Sequence, residues 1–247
     1  LIRRALLVAC CALLGGGAAA PAARAPQPLT IFAAASLTDV LPAIAPADDY
    51  AFAGSNALAA QIAEGAPADV FAAANTAIPE RLYARRLVEK PVVFTRNALV
   101  VVVPRANPAR IASVDDLARR GVSVVVAAPS VPVGGYTQTV LRRLGLAARV
   151  DANVVSRELD VRSVLAKVTL GQADAGFVYA TDARTERGKV RVVRIPASAQ
   201  PSVAYAVAVV SASRHKAAAR AFVARLLGKA GQATLARFGF LPPTHGT

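Results

Sequence analysis

A chain of 247 residues with 55% apolar and 18% charged residues has the content for one large or two medium globular cores, which excludes a disordered polymer. Its formal charge of +14 comes from basic residues in short helix-like groups such as Arg81, Arg85, Arg86 and Arg142, Arg143, without aromatic interleaving, so they read as a solvated face and not as a nucleic-acid footprint. The two cysteines, Cys10 and Cys11, are adjacent in an N-terminal apolar run, which leaves the rest of the chain without thiol or disulfide chemistry.

Residues 1–25 read as a secretory signal peptide: Arg3 and Arg4, then a short apolar run from Ala5 to Leu14, then small residues through Ala25 that suit a cleavage site. That run is too short to span a bilayer. The mature protein is therefore expected in the periplasm or another extracytoplasmic space. An alternative takes Leu7-Val8-Ala9-Cys10 as a lipoprotein box with a lipid anchor on Cys10.

Leu29 to Phe32 reads as a buried strand, and small residues Ala33 to Ala35 lead into Ser36. With Asp39 three residues on, Ser36 predicts a helix start close to a capping box. A helix N-terminus at the carboxyl end of a strand favours an anion. Phe52-Ala53-Gly54-Ser55 repeats the design, placing Ser55 at a second helix start, and that helix ends at Gly65. Ala68 to Ala74 reads as another short strand, followed by a helix through Arg86. Strands and helices alternating at this spacing indicate an α/β fold with parallel pairing.

Asn97 to Val103 is the most strand-prone run and stops at Pro104. A second series follows: a helix over Ser113 to Gly121, a strand over Val122 to Ala127, a loop over Pro129 to Gly135 and a helix over Tyr136 to Leu144. Val154-Val155 and Ala175 to Val178 read as further strands with a helix over Val161 to Leu170 between them, and Tyr179 ends the last of these at a further helix start. Ala204 to Val210 is one more apolar strand, and the chain closes with helices broken at Gly228. Connectors near Val100 and Val207 then divide lobe 1, residues 29–99 plus 209–247, from lobe 2, residues 100–208. A ligand is expected in the cleft between such lobes.

These segments together resemble the periplasmic molybdate-binding proteins that feed ABC importers. The resemblance rests on Ile31-Phe32-Ala33-Ala34-Ala35-Ser36-Leu37, Phe52-Ala53-Gly54-Ser55, Gly65-Ala66-Pro67-Ala68-Asp69-Val70-Phe71, Val131-Pro132-Val133-Gly134, Asp160-Val161-Arg162 and Gly176-Phe177-Val178-Tyr179 with Asp182, and runs from Leu29 to Pro243. It implies a type II two-lobe periplasmic-binding-protein fold: two mixed or parallel sheets flanked by helices and joined by a hinge of two strands. It implies tetrahedral molybdate or tungstate held through the hydroxyls of Ser36 and Ser55, backbone N–H groups at Ser36, Ser55, Val133 and Val161, and the hydroxyl of Tyr179. No protein atom would ligate the metal directly, and no cofactor is implied beyond the bound oxyanion. The expected partners are that small oxyanion and an ABC transporter permease, with the protein itself monomeric.

Two features depart from the family pattern. Ser36 and Ser55 stand closer together than usual, with Pro42 and Pro46 between them, and Val133 occupies a position where alanine is common. Catalysis is not expected: His215 and His245 cannot pair with either serine, and no metal-ligand spacing occurs. A receptor for sulfate or another oxyanion, and a ligand-sensing module, remain the alternative readings. Asp160 reads as the cap of its own helix, which leaves no acceptor for a protonated anion.

Overall fold

The structure, a computed structural model, describes residues 27–243. The expected signal peptide, Cys10 and His245 lie outside the described residues. In chain order the first elements are β1 (Thr30–Ala34), α1 (Val40–Ile44), β2 (Asp49–Ala53), α2 (Ser55–Ala63), β3 (Val70–Ala73), α3 (Ala77–Ala84) and β4 (Val92–Asn97). There follow β5 (Leu99–Pro104), β6 (Val124–Ala127), α4 (Pro132–Arg143), α5 (Ala147–Asp151), β7 (Val154–Glu158), α6 (Val161–Thr169), β8 (Ala175–Tyr179) and α7 (Ala180–Thr185). The last elements are β9 (Val190–Val193), β10 (Val203–Val209), α8 (Lys216–Leu227) and α9 (Lys229–Phe238).

Two five-stranded mixed sheets result, ordered β2-β1-β3-β10-β4 and β7-β6-β8-β5-β9. Each has three parallel strands joined through helices and one inserted strand, β10 or β5, that pairs antiparallel with both neighbours. The central strands are apolar on both faces because helices cover both sides; β3 and β6 are buried along their whole length.

The chain passes from the first sheet to the second at Ala98, between β4 and β5, and returns ahead of β10. That return corrects the boundary expected from sequence, since Val203–Val209 pairs with β3 and β4 and belongs to the first lobe, not the second. Two shorter corrections follow. The helix expected over Ser113 to Gly121 is only a 3-10 turn at Asp115–Ala118, because the Asp116 carboxylate accepts from the N–H groups of Ala112 (2.8 Å) and Ser113 (2.9 Å) and diverts the backbone locally. The loop expected over Pro129 to Gly135 ends early, since α4 begins at Pro132, where a missing N–H costs nothing.

Candidate oxyanion site between the lobes

The parallel strands of both sheets deliver their carboxyl ends to one small, partly open space between the lobes. From the first lobe it is lined by Ala35 and Ser36 after β1, Gly54 and Ser55 after β2, and Ala74 after β3. From the second come Val131 to Val133 after β6, Asp160 and Val161 after β7, and Tyr179 at the end of β8. All five residues singled out from sequence, Ser36, Ser55, Val133, Val161 and Tyr179, therefore share one cavity wall. No lysine or arginine is part of that wall.

Each segment reaches the cavity at the start of a helical turn, where backbone N–H groups have no intrahelical acceptor. Ser55 and Val161 are the first residues of α2 and α6, Val133 is the second of α4, and Ser36 lies in a 3-10 turn at Ala35–Leu37. The expected capping box at Ser36 does not form. Neither Ser36 nor Asp39 caps a helix through its side chain; Ser36 turns to Tyr205 and Asp39 to Arg162.

The two serine hydroxyls are buried, and each has another donor against its oxygen. The Ala74 N–H donates to Ser55 Oγ at 3.1 Å. Ser36 Oγ lies 2.9 Å from the Tyr205 hydroxyl, whose oxygen accepts from Asn97 Nδ2 at 3.4 Å. Either hydroxyl of the Ser36–Tyr205 pair can donate to the other; with an acceptor in the cavity, Ser36 can turn its O–H to that acceptor and take the Tyr205 proton, as Ser55 can with the Ala74 N–H behind it. Tyr205 and Asn97 were not singled out from sequence. Tyr205 sits 169 residues from Ser36 in the chain, and only the antiparallel insertion of β10 brings it there.

Tyr179 is 1% exposed, and its hydroxyl has no hydrogen-bond partner among the described residues. Its ring meets Tyr205 edge-on at 5.6 Å between centroids. Burial pushes the Tyr179 hydroxyl well above its ordinary pKa, so it stays a neutral donor. A buried hydroxyl without a partner costs about 1–3 kcal/mol, which a ligand oxygen accepting from it would recover. Asp160 is occupied: its carboxylate accepts from the Ser163 N–H at 2.9 Å and the Ser163 hydroxyl at 3.0 Å, as the sequence suggests. The cavity thus offers hydrogen-bond donors and no free carboxylate.

The lobes are closed against each other around this space. A Cβ placed on Gly54 would lie 2.3 Å from the carbonyl oxygen of Leu159, so glycine is what lets the lobes meet at that point. Asn56 Nδ2 donates to Ser130 Oγ across the gap at 3.4 Å. Arg162 bridges the lobes as well. Its guanidinium contacts Asp39 of the first lobe and lies 2.9 Å from Asp182 of its own. The second contact is an ion pair without a directed hydrogen bond. Burial raises the fully enclosed Asp182 carboxyl to about 7, with the charge of Arg162 opposing the rise.

Two mixed sheets joined by crossing strands, with an anion-suited cavity at the carboxyl ends of both, define a two-lobe periplasmic-binding-protein architecture. Residues 29–241 match the family model described as bacterial extracellular solute-binding protein, and the chain belongs to that family. Its sequence is 44% identical over 196 residues to the molybdate-binding protein ModA of Mycobacterium tuberculosis, covering 79% of this chain and 74% of that one. The fold is similar to that of the periplasmic molybdate-binding protein of Azotobacter vinelandii, with a TM-score of 0.79 at 22% identity over 87% of this chain and 100% of the other. The sulfate-binding protein SubI of Mycobacterium tuberculosis is as similar in fold, with a TM-score of 0.78 at 22% identity over 88% of this chain and 87% of that one.

Proposed function

We propose that this protein captures fully ionised molybdate or tungstate between its lobes and presents it to the permease of an ABC importer in an extracytoplasmic compartment. It does so as a monomer and without chemistry on the ligand. The observation that carries the reading is a set of converging donors: two serine hydroxyls each with a hydrogen-bonding group behind it, an unpartnered tyrosine hydroxyl, and N–H groups at four helical starts. A tetrahedral dianion with no proton satisfies every member of that set. Hydrogen phosphate would bring an O–H for which the wall holds one carboxylate, Asp160, already turned to the Ser163 N–H and hydroxyl.

Molybdate is favoured over sulfate by sequence. The relative that is 44% identical is named for molybdate, whereas the sulfate-binding protein shares this fold at 22% identity. Selection between the two anions rests on size, since a smaller tetrahedron cannot reach donors on both lobes at once. Thermal unfolding followed with molybdate, tungstate, sulfate or phosphate tests the assignment. At about a hundred times its Kd a ligand adds roughly 2.7 kcal/mol to stability. Molybdate and tungstate are expected to raise the melting temperature well above any change that phosphate produces. A shift by phosphate as large as that by molybdate, or a shift by none of the four, would overturn the proposal.

A further inference from the structure

Beside the inner cavity, and sharing Ser36 with it, lies a second concavity of about 190 Å³ that also straddles the lobes. Its character is opposite. Arg162, Arg184 and Arg187 line it from the second lobe and Arg237 from the first, with Phe238 and Phe240 behind them. Asp39 is the sole carboxylate in the wall, and Arg162 already holds it. Arg184, Arg187 and Arg237 form no ion pair with any aspartate or glutamate, although every acidic side chain of the protein lies among the described residues. The nearest acid in sequence, Glu186, pairs with Lys189 at 3.0 Å.

We infer that this pocket is a second anion site, specific for a small polyanion of the polyphosphate or polycarboxylate class, that locks the lobes closed. Three guanidiniums without a paired carboxylate line one concavity, Arg184 and Arg237 giving only single N–H groups to the Arg237 carbonyl (3.3 Å) and Thr234 Oγ1 (3.1 Å), and a ligand of two or more negative charges would neutralise them. Guanidinium forks suit phosphate and carboxylate groups in particular. The space is larger than the inner cavity and is lined by cations, so it does not demand the single tetrahedral ion that the inner donors fit. Because its arginines come from both lobes, an occupant touches all of them only in the closed form. Linkage then requires the polyanion and the inner oxyanion to strengthen each other's binding by the same factor.

This coupling rests on the oxyanion reading above, but the site itself does not, and the test separates them. Pyrophosphate and citrate are titrated calorimetrically into the full protein at low ionic strength, first without and then with saturating molybdate. Saturable one-to-one binding is expected, tightened about fivefold or more by molybdate. Preference for pyrophosphate or for citrate names the source chemistry. The double variant Arg187→Ala, Arg237→Ala removes exposed side chains and should fold normally; it is expected to lose the binding. A variant with the same charge change outside the pocket, Arg142→Ala with Arg149→Ala, is expected to keep it. Equal loss in both variants, absence of saturable binding, or displacement of the polyanion by molybdate would overturn the second site. Binding of the polyanion to a protein that ignores molybdate would overturn only the function proposed above.

Discussion

Gly54→Ala tests whether lobe closure creates the binding site. The backbone at Gly54 has φ −60° and ψ 133°, values an alanine adopts without strain, so each lobe should fold as before. The added methyl, however, would sit 2.3 Å from the Leu159 carbonyl oxygen on the opposite lobe, where ordinary contact begins at 3.4 Å. The lobes must back away by about 1 Å at that point, enough to carry hydrogen bonds near 3 Å out of range. The donors lost would be those of the second lobe: the Val133 and Val161 N–H groups and the Tyr179 hydroxyl. Each bond to a charged partner contributes about 1.5–3 kcal/mol. Weakening the equivalent of one or two costs roughly 2–5 kcal/mol, or about thirtyfold to several-thousandfold in Kd. Calorimetry with molybdate reads the loss, and urea unfolding of the ligand-free protein checks that stability is unchanged. Wild-type affinity in Gly54→Ala would refute closure as the origin of binding.

Three further substitutions bear on single donors and on the interlobe ion pair. Ser55→Ala should weaken molybdate binding about tenfold or more and, by stranding the buried Ala74 N–H, also lower stability by about 1–3 kcal/mol in urea unfolding. Tyr205→Phe should weaken binding by about tenfold although Tyr205 lies behind Ser36, because Ser36 loses the hydroxyl that holds its side chain in place and can donate to its oxygen; unchanged affinity in calorimetry would remove Tyr205 from the site. Asp182 has a folded-state pKa of about 7 against 3.8 when free, so between those values the folded protein binds more protons than the unfolded chain. Its contribution therefore falls as pH rises from about 4 to 7. Asp182→Asn should flatten that part of the stability profile, and an identical profile in wild type and variant would contradict the assignment.

The strands and the cavity-lining turns were legible because their signals are local. Apolar runs such as Val124–Ala127 and small-residue turns ahead of Ser36 and Ser55 announce a buried strand feeding a helix start. What stayed hidden depends on partners far along the chain. The apolar run Val203–Val209 looks the same whichever sheet it joins, and its place beside Val70–Ala73 is settled by tertiary pairing. Tyr205 carries no sequence mark of its role for the same reason. At Asp39 the local signal misled: a carboxylate three residues after a serine fits a capping box, but Arg162 from the other lobe offers a full charge instead of a backbone N–H. The spacing between Ser36 and Ser55 is taken up by α1, whose five residues keep Pro42 within the first turn, where proline is tolerated.

The most direct measurement is a crystal structure grown with molybdate and phased at the molybdenum absorption edge. The account predicts one anomalous peak between the lobes, with ligand oxygens in hydrogen-bond range of Ser36 Oγ, Ser55 Oγ, the Tyr179 hydroxyl and the Val133 and Val161 N–H groups, and no side-chain cation in contact. A peak among Arg184, Arg187 and Arg237 with the inner cavity empty would contradict it.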